Sequence, residues 1–196
     1  MPWPAGLAHI AARHRRCRLA GLNIDERQLR WARRLLAPVP PLVVGDGCSL
    51  PVAPSSLDHV LAVECVFHFP SRKGFFREAA RALRPGGTLA LSDFLLAAGG
   101  LSTFLAKVAE LGPGDWYGHS AAPVTSAAYE RLGRVMGFEM LDDEDVTTRT
   151  LPTYAARRRL YREAGAVEGV ATLDRVERLA THGAWEYHVL AFRRRP

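Results

Sequence analysis

The chain has 196 residues, of which 48% are hydrophobic, enough to bury one respectable core, so a single domain spanning residues 1–196 is expected. Its net charge of +6 invites a nucleic-acid reading, but Lys73 and Lys107 are the only lysines and the arginines are spread over predicted helices. A solvated helix face explains that distribution better than a phosphate-tracking stripe, so no nucleic-acid partner is expected.

No apolar run reaches the roughly 18 to 20 residues that a membrane span needs, and MPWPAGLAH lacks the charged and apolar regions of a secretory leader. Cys17, Cys48 and Cys65 lie far apart with no paired spacing. They suit a reducing cytoplasm better than a disulfide frame or a zinc site, and no metal cluster is expected.

In chain order, residues 7–16 read as a short amphipathic helix and residues 19–22 as a brief strand. Asn23-Ile24-Asp25 then turns into a second helix, where Asp25 and Gln28 stand in capping-box spacing ahead of Leu29, Ala32 and Leu36. Pro38, Pro40 and Pro41 end it, residues 42–44 form a strand, and Gly45-Asp46-Gly47 turns after that strand. Residues 60–63 are an unbroken apolar run, as expected of a strand covered on both faces. Glu64 and His68 follow at its carboxyl end.

Ser71 can cap a helix whose Phe75, Phe76, Ala79, Ala80 and Leu83 form one apolar stripe. Pro85-Gly86-Gly87 stops that helix, and residues 88–91 restart a buried strand ending in Ser92-Asp93. Beyond Ala97 a helix is expected around residues 104–111, followed by the loop GPGDWYGHS. A helix capped by Thr125 or Ser126 runs to Met136 and is ended by Gly137. Residues 138–148 should contain a strand despite their acidic centre, residues 152–164 and 173–181 helices, and residues 185–192 the last strand. Alternating strands and helices of this kind predict an α/β fold, a doubly wound sheet. Ligands of such sheets sit beyond the carboxyl ends of the parallel strands, where Glu64, His68 and Asp93 are delivered.

ECVFHFP, a helix, and then LRPGGTLALSDF resemble the class I S-adenosylmethionine (SAM)-dependent methyltransferases. The likeness is greatest to the branch acting on sugars and other small natural products. It is strong over residues 7–97 and weak beyond. It implies a Rossmann-like, mostly parallel sheet with an antiparallel C-terminal strand, SAM as cofactor, and a small-molecule acceptor. Residues 7–97 would form the cofactor-binding core, and residues 98–124 and 150–182 the substrate-covering insertions.

Residue by residue, the resemblance gives Asn23, with Gln28 five positions later and Asp25 between them, a place at the ribose hydroxyls. Asp46 would read the adenine amino group, with the backbone of Gly47 and Cys48 flanking the ring. His68 becomes the general base, a role suited to imidazole at neutral pH, although Phe67 stands where similar enzymes carry a first histidine. Asp93 would orient that base or bind the acceptor, Glu64 would serve the cofactor or the loop, and Trp116, Tyr117, His119 and Tyr154 would contact the acceptor. Each residue also has a plain reading: helix capping for Asp25 and Gln28, an Asx turn for Asp46, a helix start for His68, a strand-end turn for Asp93, and packing for the aromatics.

The resemblance further implies a first strand and a Gly-x-Gly-x-Gly turn ahead of the first helix, and here the chain opens on MPWPAGLAHI. The central strand, between those at residues 19–22 and 60–63, is therefore expected to be missing from this chain. The expected function is SAM-dependent methyl transfer to a small molecule, first at a hydroxyl, with carbon and nitrogen acceptors as alternatives. The competing expectation is an N-terminally truncated, weak or inactive methyltransferase-fold protein acting as a partner subunit. No Gly-x-Gly-x-x-Gly follows a strand and no Gly-x-Ser-x-Gly is present, which disfavours a dehydrogenase and a hydrolase.

Overall fold

The computed structural model describes residues 3–35, 40–111 and 124–196. The element order is α1 (Trp3–Arg13), β1 (Gly21–Asn23), α2 (Glu26–Leu35), β2 (Leu42–Val44), β3 (Leu57–Ala62), a 3-10 turn (Val66–His68) and α3 (Arg72–Ala82). It continues with β4 (Leu83–Leu96), α4 (Leu101–Leu111), α5 (Ser126–Val135), β5 (Phe138–Asp145), α6 (Thr147–Glu163), α7 (Val167–Thr181) and β6 (Trp185–Arg194). The mixed α/β architecture is the one expected.

Two separate sheets form: a parallel pair β1–β2, and a four-stranded sheet ordered β3-β4-β6-β5. β3 and β4 are parallel, while β6 runs antiparallel to both β4 and β5. Among the described residues no strand joins β1 to β3. The apolar run at residues 60–63 is not covered on both faces as expected, since Leu61 and Val63 are 54% and 53% exposed. The run alternates instead: Val60 and Ala62 pack with the main core, while Leu61 and Val63 point to the opposite, open face.

The Pro-Gly-Gly segment also differs from its sequence reading. α3 ends at Ala82, and the segment is a bulge within β4, whose register jumps from Leu57↔Leu83 to His59↔Thr88. Gly86 has φ +79°, and a Cβ on Gly87 would lie 2.9 Å from the Asp58 carbonyl oxygen. Both positions need glycine, for left-handed backbone and for close approach respectively. Ser71 caps α3 by accepting from the Gly74 N–H at 2.9 Å, and Thr125 caps α5 by accepting from Ala128 N–H at 3.2 Å.

Side chains alternate across β4 and so divide the packing into two layers. Leu89, Leu91 and Leu95 join Leu190 and Phe192 of β6, Phe75 and Phe76 of α3, and Tyr129 of α5 in the main core. Phe76 is its centre, with ring centroids 5.2 Å from Phe192, 5.7 Å from Phe138 and 5.8 Å from Tyr129. On the opposite face, Phe94 packs with Tyr154, Leu173 and Val176 of α6 and α7. β4 is thus the wall between two chemically distinct compartments.

Candidate active site

The carboxyl ends of β1 and β2 are tied together, since Gly45 N–H donates to the Asn23 carbonyl at 3.1 Å. Asn23 Oδ1 accepts from the Asp25 N–H at 2.8 Å, and its Nδ2 donates to Gln28 Oε1 at 3.2 Å. The structure therefore brings Asn23 and Gln28 together. Asp25 instead serves α2: its Oδ1 accepts from the Arg27 N–H at 2.9 Å, and bonds from Arg27 hold its carboxyl below the usual range. The reciprocal Gln28 arm of a capping box does not form, because Gln28 is engaged by Asn23.

Asp46 Oδ1 accepts from the Cys48 N–H at 2.8 Å, closing an Asx turn. Among the described residues its second carboxylate oxygen has no hydrogen-bond partner, leaving an acceptor for a ligand donor. Gly47 lies beneath the Phe69 ring, where a Cβ would sit 2.6 Å from Cζ. Cys48 Sγ reaches the Ser71 carbonyl at 3.4 Å. The loop beyond is clipped to α3: Glu78 accepts from the Leu50 N–H at 3.0 Å, and Arg81 donates to the carbonyls of Leu50 and Val52, each at 2.8 Å. These contacts carry the β2 turn to the segment that holds His68.

After β3 the backbone of Glu64 is left-handed, with φ +57°, a sparsely populated region for a side-chain-bearing residue. Its N–H donates to Ser92 Oγ at 3.1 Å, its carboxylate accepts from the Tyr187 hydroxyl, and Tyr187 Oη lies 2.7 Å from Ser92 Oγ. Burial and the Glu64 charge push the Tyr187 phenol well up, so it stays protonated. Cys65 is likewise pushed up to about 12, by burial and by the charges of Asp93 and Glu64, and is a neutral thiol.

Asp93 belongs to the other side of β4. Its carboxylate is fully buried and turned inward, accepting from Arg72 Nε at 2.9 Å and from the Tyr129 hydroxyl at 2.5 Å. Burial alone would depress the Arg72 guanidinium, but the Asp93 charge outweighs it and raises its proton affinity. Arg72 Nε is shared, donating also to the Tyr129 hydroxyl oxygen at 3.0 Å, so the three side chains form one buried cluster around the Asp93 charge.

His68 ends the 3-10 turn, exposed, with its ring centroid 4.4 Å from that of Phe67. Partial burial lowers its proton affinity, and the charges of Glu64 and Asp93 offset part of that effect. The imidazole is therefore neutral near pH 7 and able to accept a proton.

Tyr154 is buried against Leu173 and Val176 and takes part in packing α6 on α7 beside Phe94. Trp116, Tyr117 and His119 lie outside the described residues. Sequence reasoning missed Arg72, Ser92, Tyr129 and Tyr187. Arg72 reads as a surface residue after a cap, and Tyr187 meets Glu64 only through the β4–β6 register, which sequence spacing does not reveal. No helix among the described residues is long and apolar enough to cross a membrane, and no three of their His, Cys, Asp or Glu side chains are grouped to hold a metal ion.

Residues 4–91 match the methyltransferase domain family. The chain is 38% identical over 143 residues to the 27-O-demethylrifamycin SV methyltransferase of Amycolatopsis mediterranei, covering 69% of this chain and 51% of that protein. It is 28% identical over 186 residues to the sterol 24-C-methyltransferase of Kluyveromyces lactis, covering 89% and 49% respectively. The chain thus spans about half the length of these relatives. Its fold matches that of the phosphoethanolamine N-methyltransferase 2 of Haemonchus contortus in complex with S-adenosyl-L-methionine, with a TM-score of 0.75 at 18% identity over 100% of this chain and 47% of that one. Sequence and architecture together make this chain a member of the class I S-adenosylmethionine-dependent methyltransferases.

Proposed function

We propose that this protein transfers a methyl group from SAM to a hydroxyl of a small-molecule acceptor, with His68 as general base. The observation that carries the reading is His68 itself: an exposed imidazole just beyond the carboxyl end of β3, its proton affinity lowered by partial burial and partly restored by the charges of Glu64 and Asp93. Bound at that edge, SAM would supply an electrophilic methyl on a sulfonium. Asn23 and Gln28 fit the ribose hydroxyls, and the second oxygen of Asp46 fits an amino group. The packing of Phe69 on Gly47 would keep the adjoining turn flat against a ring. His68 takes the hydroxyl proton, while placement supplies most of the remaining acceleration. Asp93, sealed behind Arg72 and Tyr129, acts on His68 through its charge and touches no acceptor.

Oxygen is favoured over carbon and nitrogen because a hydroxyl acceptor needs a base, and the rifamycin relative is the 38% identical one. In a small natural-product screen, His68→Ala should cut kcat by about 100-fold or more, the usual worth of a positioned base. Affinity for S-adenosylhomocysteine should stay unchanged. Full turnover by His68→Ala would overturn the base assignment.

A second reading, a partner subunit with weak or no turnover, is favoured by the separation of β1–β2 from the four-stranded sheet. Calorimetry on this chain, and on one carrying an added upstream strand and glycine-rich loop, separates the two. Tighter SAM binding by the extended form supports the enzyme, and no thermal stabilisation of either by S-adenosylhomocysteine supports the subunit.

A further inference from the structure

We propose that Tyr187 is a positioning residue of the methyl-transfer site, clamping the Glu64 carboxylate across the sheet so that its charge is presented to His68. This inference rests on the reading of His68 as the base.

The geometry is a closed circuit. Glu64 donates its backbone N–H to Ser92 Oγ, and its carboxylate accepts from the Tyr187 hydroxyl, while the two hydroxyl oxygens lie 2.7 Å apart. A phenol has one proton, so once Tyr187 donates to Glu64, the Ser92 hydroxyl can donate to Tyr187 in turn. Each donor in the ring then points the same way round, an arrangement in which hydrogen bonds reinforce one another. The three residues come from the end of β3, from β4 and from β6, so the ring stitches three strands at the ligand edge.

Two further observations say that this ring holds something it would otherwise lose. The left-handed Glu64 backbone persists only where its surroundings over-determine it. Tyr187 is also fixed from the other side, its ring centroid 4.9 Å from that of Phe94, its direct cross-strand partner. Glu64 and His68 then bracket a single turn, closed by His68 N–H on the Cys65 carbonyl at 2.9 Å. Among the described residues the charges that act on His68 are those of Glu64, from its own segment, and Asp93, from β4. Arg72 of α3 is paired to Asp93, and the neighbouring Cys65 is neutral. Of the two charges, that of Glu64 is the one that a mobile side chain could swing away.

The test is an NMR titration of the His68 ring in the full chain, which needs neither cofactor nor acceptor. Glu64→Gln should lower the measured His68 pKa by about half a unit, the scale of one partly screened charge. Tyr187→Phe should lower it in the same direction by less. In the Glu64→Gln background Tyr187→Phe should add nothing, because it acts only through that carboxylate. A merely structural tyrosine would give additive effects, or would also move His59 and His182, which serve as fold controls. Ser92→Ala opens the same ring and replaces Tyr187→Phe if that variant fails to fold. An unmoved His68 titration in Tyr187→Phe, or an equal shift with and without Glu64, overturns the proposal. The expected coupling without any methyl transfer would sink the catalytic assignment and leave the clamp standing.

Discussion

Two carboxylates flank β4 at its ligand end, and they are treated in opposite ways. Asp93, on the α3/α5 side, is sealed with Arg72 and Tyr129 in a compartment where Arg72 is 8% exposed and Tyr129 1%. Glu64, on the α6/α7 side, is left partly exposed on a strained backbone and held by hydroxyls. In the first cluster Arg72 Nε and the Tyr129 hydroxyl both donate to the Asp93 carboxylate, and an uncompensated charge there has nowhere to go. The second cluster carries a charge that solvent and ligands can reach. The contrast teaches that the ends of two adjacent parallel strands can divide stability and chemistry between the two faces of one sheet.

That division can be broken experimentally. Asp93→Ala strands the Arg72 guanidinium in the core and should cost about 3–5 kcal/mol in urea unfolding. Gly47→Ala should cost about 1–3 kcal/mol, because Phe69 must move off the turn, and it should weaken S-adenosylhomocysteine binding in calorimetry. Ser71→Ala removes the α3 cap and should cost about 1 kcal/mol in the same unfolding assay. Glu64→Gly exchanges hydrogen bonds for relief of a left-handed backbone, so stability should change by less than about 1 kcal/mol. If Glu64→Gly proved as damaging as Asp93→Ala, the division between the two faces would be wrong.

A pH dependence sharpens the comparison from a third place. His188 bridges β5 and β6, with Nδ1 2.5 Å from Asp143 Oδ1 and Nε2 3.1 Å from Glu186 Oε2. Burial lowers its proton affinity, but bonds to Asp143 and Glu186 outweigh that and raise it above the ordinary 6.5. Its folded pKa exceeds the unfolded one, so its contribution is complete below about pH 6.5 and is lost as pH rises through the folded value. The urea midpoint should fall over that window in the wild type and less in Asp143→Asn, the smallest effect predicted here.

Much of the fold was legible because local signals agreed with one another. Ser71 and Thr125 both cap as their spacing predicts, Gly137 at φ +82° closes α5, and Phe75, Phe76 and Ala79 form the stripe that α3 buries. The acidic centre of β5 disguised a strand whose outward residues face solvent and whose Asp143 meets His188. The apolar run at residues 60–63 misled in the other direction, because hydrophobicity records what a strand could bury and not whether a layer covers each of its faces. At the site, the Asp46 turn was readable from its Gly-Asp-Gly sequence, whereas spacing pointed Gln28 to Asp25 and only the family resemblance set it with Asn23. The roles of Tyr154, Arg72, Tyr129 and Tyr187 were not.

The amino-acid sequence by itself determined which segments become strands and helices, the family, and the delivery of Asn23, Asp46, Glu64, His68 and Asp93 to the carboxyl ends of their strands. Capping, periodicity and turn chemistry act over a few residues, so they can be read along the chain. Only the tertiary structure decided that Asp93 turns inward to Arg72 while Glu64 reaches Tyr187, which lies 123 positions away. Side chains of successive strand residues point to opposite faces, and which partner waits on each face is set by strand register and layer packing.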